Sequence, residues 1–413
     1  MNIFFNRGYA KLWLASGASA LGDGVTVAAG PLLMASISHD PAVVAGAAFA
    51  QQLPWLLFSL FSGVLVDRLD RRMIIGAVSI LRTAVMGGLA VLVWQGWATV
   101  PVVFAAVFLI GTGATLSDNA GQAFLPAVVD DDVLPRANAG LSGVRMACSQ
   151  FGGPPLGGWL FAVAAAVPFG VDAVCFALGS LLVFSVRLRP QEAAAPVADP
   201  APRPSVWQEM AEGCRWLWNH QALRMLAVTM ALMNLTYGGT YAIYVLYARE
   251  RLGLTGVGYG VLLATMAVGG LAGTAVVGRL MARFGSVTLL RCGLVVETLT
   301  HLVLALTRSP GVAMVTMVLF GAHAAIWGVL GVTLRQRATP AELRGRINSV
   351  YMLFSMGGGA IGALAGGFVA RGLGITGPFW IAFAAMSLLT PAAWRSITSS
   401  AFTPERVPVP VLD

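Results

Sequence analysis

A stretch of about twenty mostly apolar residues suffices for a helix to cross a bilayer, and such stretches recur twelve times along this 413-residue chain. They run near 10–36, 42–66, 73–96, 101–122, 137–162, 168–187, 221–247, 257–281, 287–307, 311–334, 347–370 and 376–395. They are called spans one to twelve below. Between them lies turn chemistry such as His39-Asp40-Pro41, Ser309-Pro310-Gly311 and Thr376-Gly377-Pro378. Soluble domains carry roughly a quarter charged residues; here 11% are charged and 57% hydrophobic. The expected fold class is therefore an all-α membrane protein. A secreted disulfide scaffold, a disordered chain and a nucleic-acid binder are excluded. The four cysteines are far apart and show no metal-ligand spacing.

Charge sets the expected topology. Of the 26 Lys and Arg, 19 fall in cytoplasmic segments if both termini lie inside, four fall outside and three lie within spans. This inside-positive bias accounts for the net charge of +8 without a nucleic-acid partner. Ala18-Ser19-Ala20 mimics a signal-peptidase site, but hydrophobicity resumes through Leu33, and an uncleaved first span is expected. The expected location is the cell (inner or plasma) membrane, multi-pass.

The halves echo each other at an offset near 211: Ala20-Leu21-Gly22-Asp23 aligns with Ala231-Leu232-Met233-Asn234. Gly63 to Arg68 aligns with Thr274 to Arg279. Two pseudo-symmetric six-helix bundles follow, over 1–187 and 221–413. Residues 188–220 form a linker whose second part, from Trp207, has the periodicity of an amphipathic surface helix.

Four spans carry polar or aromatic stripes at helical spacing. They are Ser16, Ser19, Asp23 and Thr26 on span one, and Thr112, Thr115, Asn119 and Gln122 on span four. Span seven has Asn234, Tyr237 and Tyr241, and span ten has Thr316, Phe320, His323 and Trp327. Lipid cannot satisfy such groups. They meet either a water-filled cavity between the halves or a neighbouring helix, and the cavity is the expectation. Substrate contacts would then come from Ser19, Thr26, Thr115, Asn119, Gln122, Asn234, Tyr237, Tyr241, Phe320, His323 and Trp327. Charges at bilayer depth are costly and are usually paired or functional. Asp23 is the expected proton carrier. Asp118 is expected to pair with Arg82 or Arg145, and these three complete the proton-coupling set. Asp172, Arg291 and Glu297 are further intramembrane charges, and His301 and His323 read as satisfied core histidines.

Gly63-Val-Leu-Val-Asp67-Arg68-Leu-Asp70-Arg71-Arg72 resembles the GxxxDRxGRR loop of the major facilitator superfamily, with Asp70 in place of a glycine. That form resembles the branch of enterobactin exporters and macrolide-efflux proteins. Gly153-Pro154-Pro155-Leu156-Gly157-Gly158 resembles the GPxxGG motif of drug–proton antiporters. The resemblance implies alternating access, with Gly63, Asp67, Arg68, Asp70, Arg71 and Arg72 forming a cytoplasmic gate. It implies a proton-coupled exporter of a hydrophobic or amphipathic small molecule: an antibiotic, siderophore or secondary metabolite. No cofactor beyond the proton gradient, no metal, no ATP, and a monomer in the lipid bilayer are expected. A lysophospholipid flippase, a nutrient importer or a non-transporting receptor are the alternatives. No enzyme motif is present.

Overall fold

The computed structural model describes residues 7–68, 71–122, 125, 128–129, 133–186, 206–339 and 343–397. It gives the backbone alone at 59–68, 71–75, 117–122, 206–210, 213, 222, 344–346 and 349. The described elements are helices. Spans one to four are Arg7–Ile37, Pro41–Arg68, Arg71–Trp94 and Val100–Gln122. Span six is Val167–Phe184, and spans ten to twelve are Pro310–Ala338, Arg344–Leu373 and Gly377–Ser396. Among the described residues, eight helices are individually long and apolar enough to cross a membrane. Their outer faces expose side chains such as Ile80, Trp94, Leu181 and Leu388, as a lipid-facing surface requires.

Three spans depart from simple rods. Span five is Leu134–Met146, a π-helical turn Ala147–Gly152 and then Gly153–Val163. Span seven is Gln221–Tyr241, followed by a short turn and a π-helical end, Tyr247–Arg251. Spans eight and nine form one helical run, Gly256–Leu306, broken where Gly285 takes φ 76°, a conformation open to glycine and strained for other residues. The surface helix is Val206–Asn219, and His220 caps span seven by accepting from the Leu223 amide.

Packing repeats between the halves. Spans one and five pack as seven and eleven do, and spans three and six as nine and twelve do. Across the seam, span two meets span eleven and span five meets span eight. The pairing is that of a pseudo-two-fold axis.

The two ends of the seam differ. Odd-numbered spans start at the end carrying the termini, so residues near 35–45 and 244–256 lie at the far end. There one hydrophobic core joins both halves: Leu32, Met34, Val44 and Ala45 from the first, Tyr244, Leu252, Tyr259 and Ala370 from the second. Glycines let backbones touch. A Cβ on Gly158 would run into the Gly256 carbonyl, and one on Gly367 would lie 2.5 Å from Ala45 Cβ. Arg371 pairs with Asp40 at 3.6 Å, and Arg249 donates to the Ala35 carbonyl at 3.4 Å. At the terminal end the cores are separate. Leu217, Leu290, Leu334 and Ile347 pack within the second half, and Tyr9, Leu125, Ala137 and Val186 within the first. Among the described residues, the core that joins the two halves lies at the far end.

In a background without the native cysteines, Asp40→Cys and Arg371→Cys are expected to be joined by a short bifunctional maleimide. Absence of the cross-linked species on a gel would contradict this sealing geometry.

Candidate functional site

The first half buries a charge cluster shared by three spans. Asp23 of span one forms an ion pair with Arg82 of span three. The Arg82 guanidinium also lies 3.8 Å from the centroid of the Phe176 ring on span six, a cation–π contact that strengthens as water is excluded. Asp172 of span six is 1% exposed and accepts from Thr26 Oγ1 at 2.9 Å through one oxygen. Its other oxygen has no hydrogen-bond partner among the described residues. The local sequence explains the assembly. Asp23 and Thr26 are three residues apart and so share a helix face, and a Cβ on Gly22 would strike Asp172 Oδ1. The side chain of Arg82 is 9% exposed and that of Asp23 is 44%. The cation is therefore fixed in protein while the carboxylate reaches open space. With both carboxylates ionised the cluster carries −1; one proton makes it neutral.

The second half holds a different cluster. Glu297 and His301, one helical turn apart on span nine, face His323 of span ten. His323 Nε2 lies 3.0 Å from Glu297 Oε2, and His301 Nε2 lies 3.4 Å from Oε1. Glu297 and His301 are each 2% exposed and His323 is 6%. Beyond His323, Phe320 meets it edge-on at 6.1 Å and stacks on Tyr237 at 5.5 Å, with Tyr241 next at 5.3 Å. Tyr237 and Tyr241 are half-buried, and Tyr237 Oη donates to Met266 Sδ at 3.6 Å.

Several expected positions change. Arg82 pairs with Asp23 beside span six, on which spans one and three both pack; the expected partner Asp118 has its side chain outside the described residues. Arg145 is exposed in the last helical turn before the π-helical turn of span five. Ser19 faces Gly179 of span six, where an added Cβ would lie 2.7 Å from its Oγ, and Thr26 faces Asp172. These two line a helix seam and not an open cavity. So do His323, turned to Glu297, and Trp327, which is 2% exposed and donates to the Leu290 carbonyl at 3.1 Å. Thr115 is buried and donates to the Gly111 carbonyl, and Asn234 donates to the Met230 carbonyl within its own helix. Tyr237, Tyr241 and Phe320 form one aromatic group. Gly153, Pro154, Gly157 and Gly158 are all buried directly after the π-helical turn. The first and third pack on span one and the fourth on span eight.

The side chains of Asp118, Asn119 and Gln122, and the loop group Gly63, Asp67, Arg68, Asp70, Arg71 and Arg72, lie outside the described residues. Asp172 and the Glu297–His301–His323 group are the functional candidates that sequence reasoning left without partners. The i,i+4 spacing of Glu297 and His301 was the available signal.

Two pseudo-symmetric bundles, each burying charge beside a seam closed at one end, define a membrane transporter of the major facilitator superfamily, and known proteins agree. The chain belongs to the transmembrane secretion effector family, whose model matches residues 3–401. It is 28% identical over 381 residues to the multidrug efflux pump Tap of Mycolicibacterium fortuitum, covering 87% of this chain and 88% of that protein. It is 24% identical over 334 residues to the uncharacterised MFS-type transporter y4rN of Sinorhizobium fredii, covering 80% of each. Among solved structures it resembles a bacterial homologue of the iron transporter ferroportin in its inward-facing state. That match has a TM-score of 0.75 at 19% identity and covers 96% of this chain and 100% of that one. The nucleoside transporter NupG matches with a TM-score of 0.73 at 11% identity, covering 96% and 100%. The protein is a transporter and not an enzyme.

Removing one member of a fully buried ion pair costs about 3–5 kcal/mol, and water around Asp23 reduces that figure here. Arg82→Gln leaves two carboxylates facing each other, whereas Asp23→Asn leaves Arg82 beside Asp172. Arg82→Gln is therefore expected to lower the melting temperature in detergent more than Asp23→Asn does. The reverse order would contradict the shared-cation geometry.

Proposed function

We propose that this chain exports a hydrophobic or amphipathic small molecule, such as an antibiotic, siderophore or secondary metabolite, in exchange for protons. The Asp23–Arg82 pair carries the reading: a half-exposed carboxylate bound to a buried cation that has a second carboxylate, Asp172, within electrostatic range. Ionised, Asp23 holds Arg82. Protonated, it releases Arg82 toward Asp172, and the cluster loses its net charge. A buried cluster whose charge changes by one unit prefers different packings in its two states. This links proton loading to the rocking of one half against the other. Asp118 would relay protons toward the terminal end, with Arg145, which stays charged, acting on it electrostatically.

With both termini cytoplasmic, the sealed end is external and this conformation opens inward. The half-buried Tyr237 and Tyr241, backed by the buried Phe320, offer aromatic surface to an apolar substrate, and Thr115, Asn119, Gln122 and Asn234 would supply hydrogen-bonding groups. The similarity to the multidrug efflux pump Tap supports the export direction and a drug-like substrate class. The loop from Gly63 to Arg72 would latch the cytoplasmic side when the seam opens outward.

Asp23→Asn is expected to abolish ethidium efflux driven by a pH gradient in inverted vesicles, with membrane insertion unchanged. Efflux that still follows the gradient in this variant would defeat the assignment. Tyr237→Ala is expected to raise KM for ethidium by about tenfold, the loss of one aromatic contact of about 1.4 kcal/mol, with the gradient dependence retained.

A further inference from the structure

The Glu297–His301–His323 cluster lies outside the Asp23 machinery, and charge counting shows what it can do. A lone ionised carboxylate at 2% exposure would be strongly disfavoured. Here it is bracketed by two imidazoles, one at each oxygen, 3.0 Å and 3.4 Å away. With Glu297 ionised, one imidazolium makes the cluster neutral. Removing that proton leaves −1, and adding a second leaves +1. The cluster therefore stores one proton at no net buried charge, and the proton can sit on either ring. His301 has no hydrogen-bond partner at either ring nitrogen among the described residues, and neither has Glu297 Oε1. His301 thus meets Glu297 at ion-pair distance only, 3.4 Å, and is held more loosely than His323 at 3.0 Å.

The neighbours leave the cluster electrically isolated. From span ten only His323 faces it. From span seven, Tyr237 and Tyr244 lie within electrostatic range. Span twelve brings Thr390 to Thr298, and the Nη2 of Arg291, on span nine itself, is occupied by the Trp394 and Ile397 carbonyls. Among the described residues no lysine or arginine forms an ion pair with Glu297, His301 or His323. The cluster's positive charge therefore comes from its own imidazoles, whereas Asp23 meets a permanent cation in Arg82.

We propose that Glu297, His301 and His323 form a second protonation site, in the second half of the transporter and separate from Asp23. His323 is its gate: it shares span ten with Phe320 and reaches the aromatic group through Phe320 and Tyr237. In this conformation the three side chains are closed off, whereas Asp23 is half-exposed. The two sites therefore exchange protons with the medium in different conformations, and each half carries its own proton. This rests on the proton-coupled reading above for its place in transport, but the site itself is testable without it.

The test is an infrared pH titration of the purified full-length chain in nanodiscs, following carboxyl and imidazole bands, beside pH-gradient-driven ethidium efflux in proteoliposomes. Wild-type protein is expected to show a coupled carboxylate–histidine transition. Glu297→Gln should abolish it, His301→Gln and His323→Gln should each displace it, and Asp23→Asn should leave it in place. Should Glu297→Gln fail to fold, the two histidine variants carry the test. The efflux profile against pH should lose one of two transitions in the cluster variants. A Glu297→Gln or histidine-variant spectrum identical to wild type overturns the proposal, even with efflux gradient-driven. An intact titration with efflux indifferent to the gradient instead keeps the site and removes the proton-coupled reading.

Discussion

An ionised side chain inside hydrocarbon costs several kcal/mol unless another helix supplies its partner, and this requirement organises the protein. Each half satisfies it differently. In the first, a single cation, Arg82, is shared among spans one, three and six, between Asp23, Asp172 and the Phe176 face. In the second, Glu297 is bracketed by two histidines, and on the proposed reading one of them carries the neutralising proton. The first arrangement fixes a cation and lets a carboxylate vary. The second fixes a carboxylate and lets the cation vary. Pseudo-symmetric backbones thus carry unlike chemistry, which is what a cycle needs if its two halves are to respond to protons at different moments.

Close packing supplies the mechanical counterpart. Lipid gives helices no hydrophobic reason to associate, so contact area and small residues must hold them. Gly153 and Gly157 bring span five against span one, and Gly158 brings it against span eight. The π-helical turn at Ala147–Gly152 sits directly before this contact, where one extra residue per turn re-aims the chain. The contact that binds span five within its own half is therefore continuous with the one that closes the seam. The Asp40–Arg371 pair is largely exposed, where ion pairs are worth less than about 1 kcal/mol. The seal depends on apolar core and backbone proximity, with that pair as a minor term.

Much of the fold was legible because membrane length and helix pitch are strict. Runs of about twenty apolar residues gave the spans and the break near Gly285, and amphipathic periodicity gave the surface helix. The π-helical turns were not legible, since a single inserted residue leaves the hydrophobic pattern almost unchanged. For the site, periodicity showed which residues share a face but not what that face meets. Ser19 and Thr26 share a face with Asp23, yet they meet span six. His323 and Trp327 share a face with Phe320, yet they meet span nine. Buried charges had to find partners, so pairing was foreseeable. The Asp23–Arg82 partnership was not, because periodicity does not show that spans one and three both pack on span six.

The central claim is that loss of charge at Asp23 frees Arg82 and shifts the two halves against each other. Spin labels at Trp97→Cys and Leu373→Cys, in a background without native cysteines, report the far-end separation across the seam. Pulsed dipolar spectroscopy at one fixed pH should give a short distance for the otherwise wild-type chain. With Asp23→Asn added, the population should move toward a longer one. Identical distributions with and without Asp23→Asn would contradict the account.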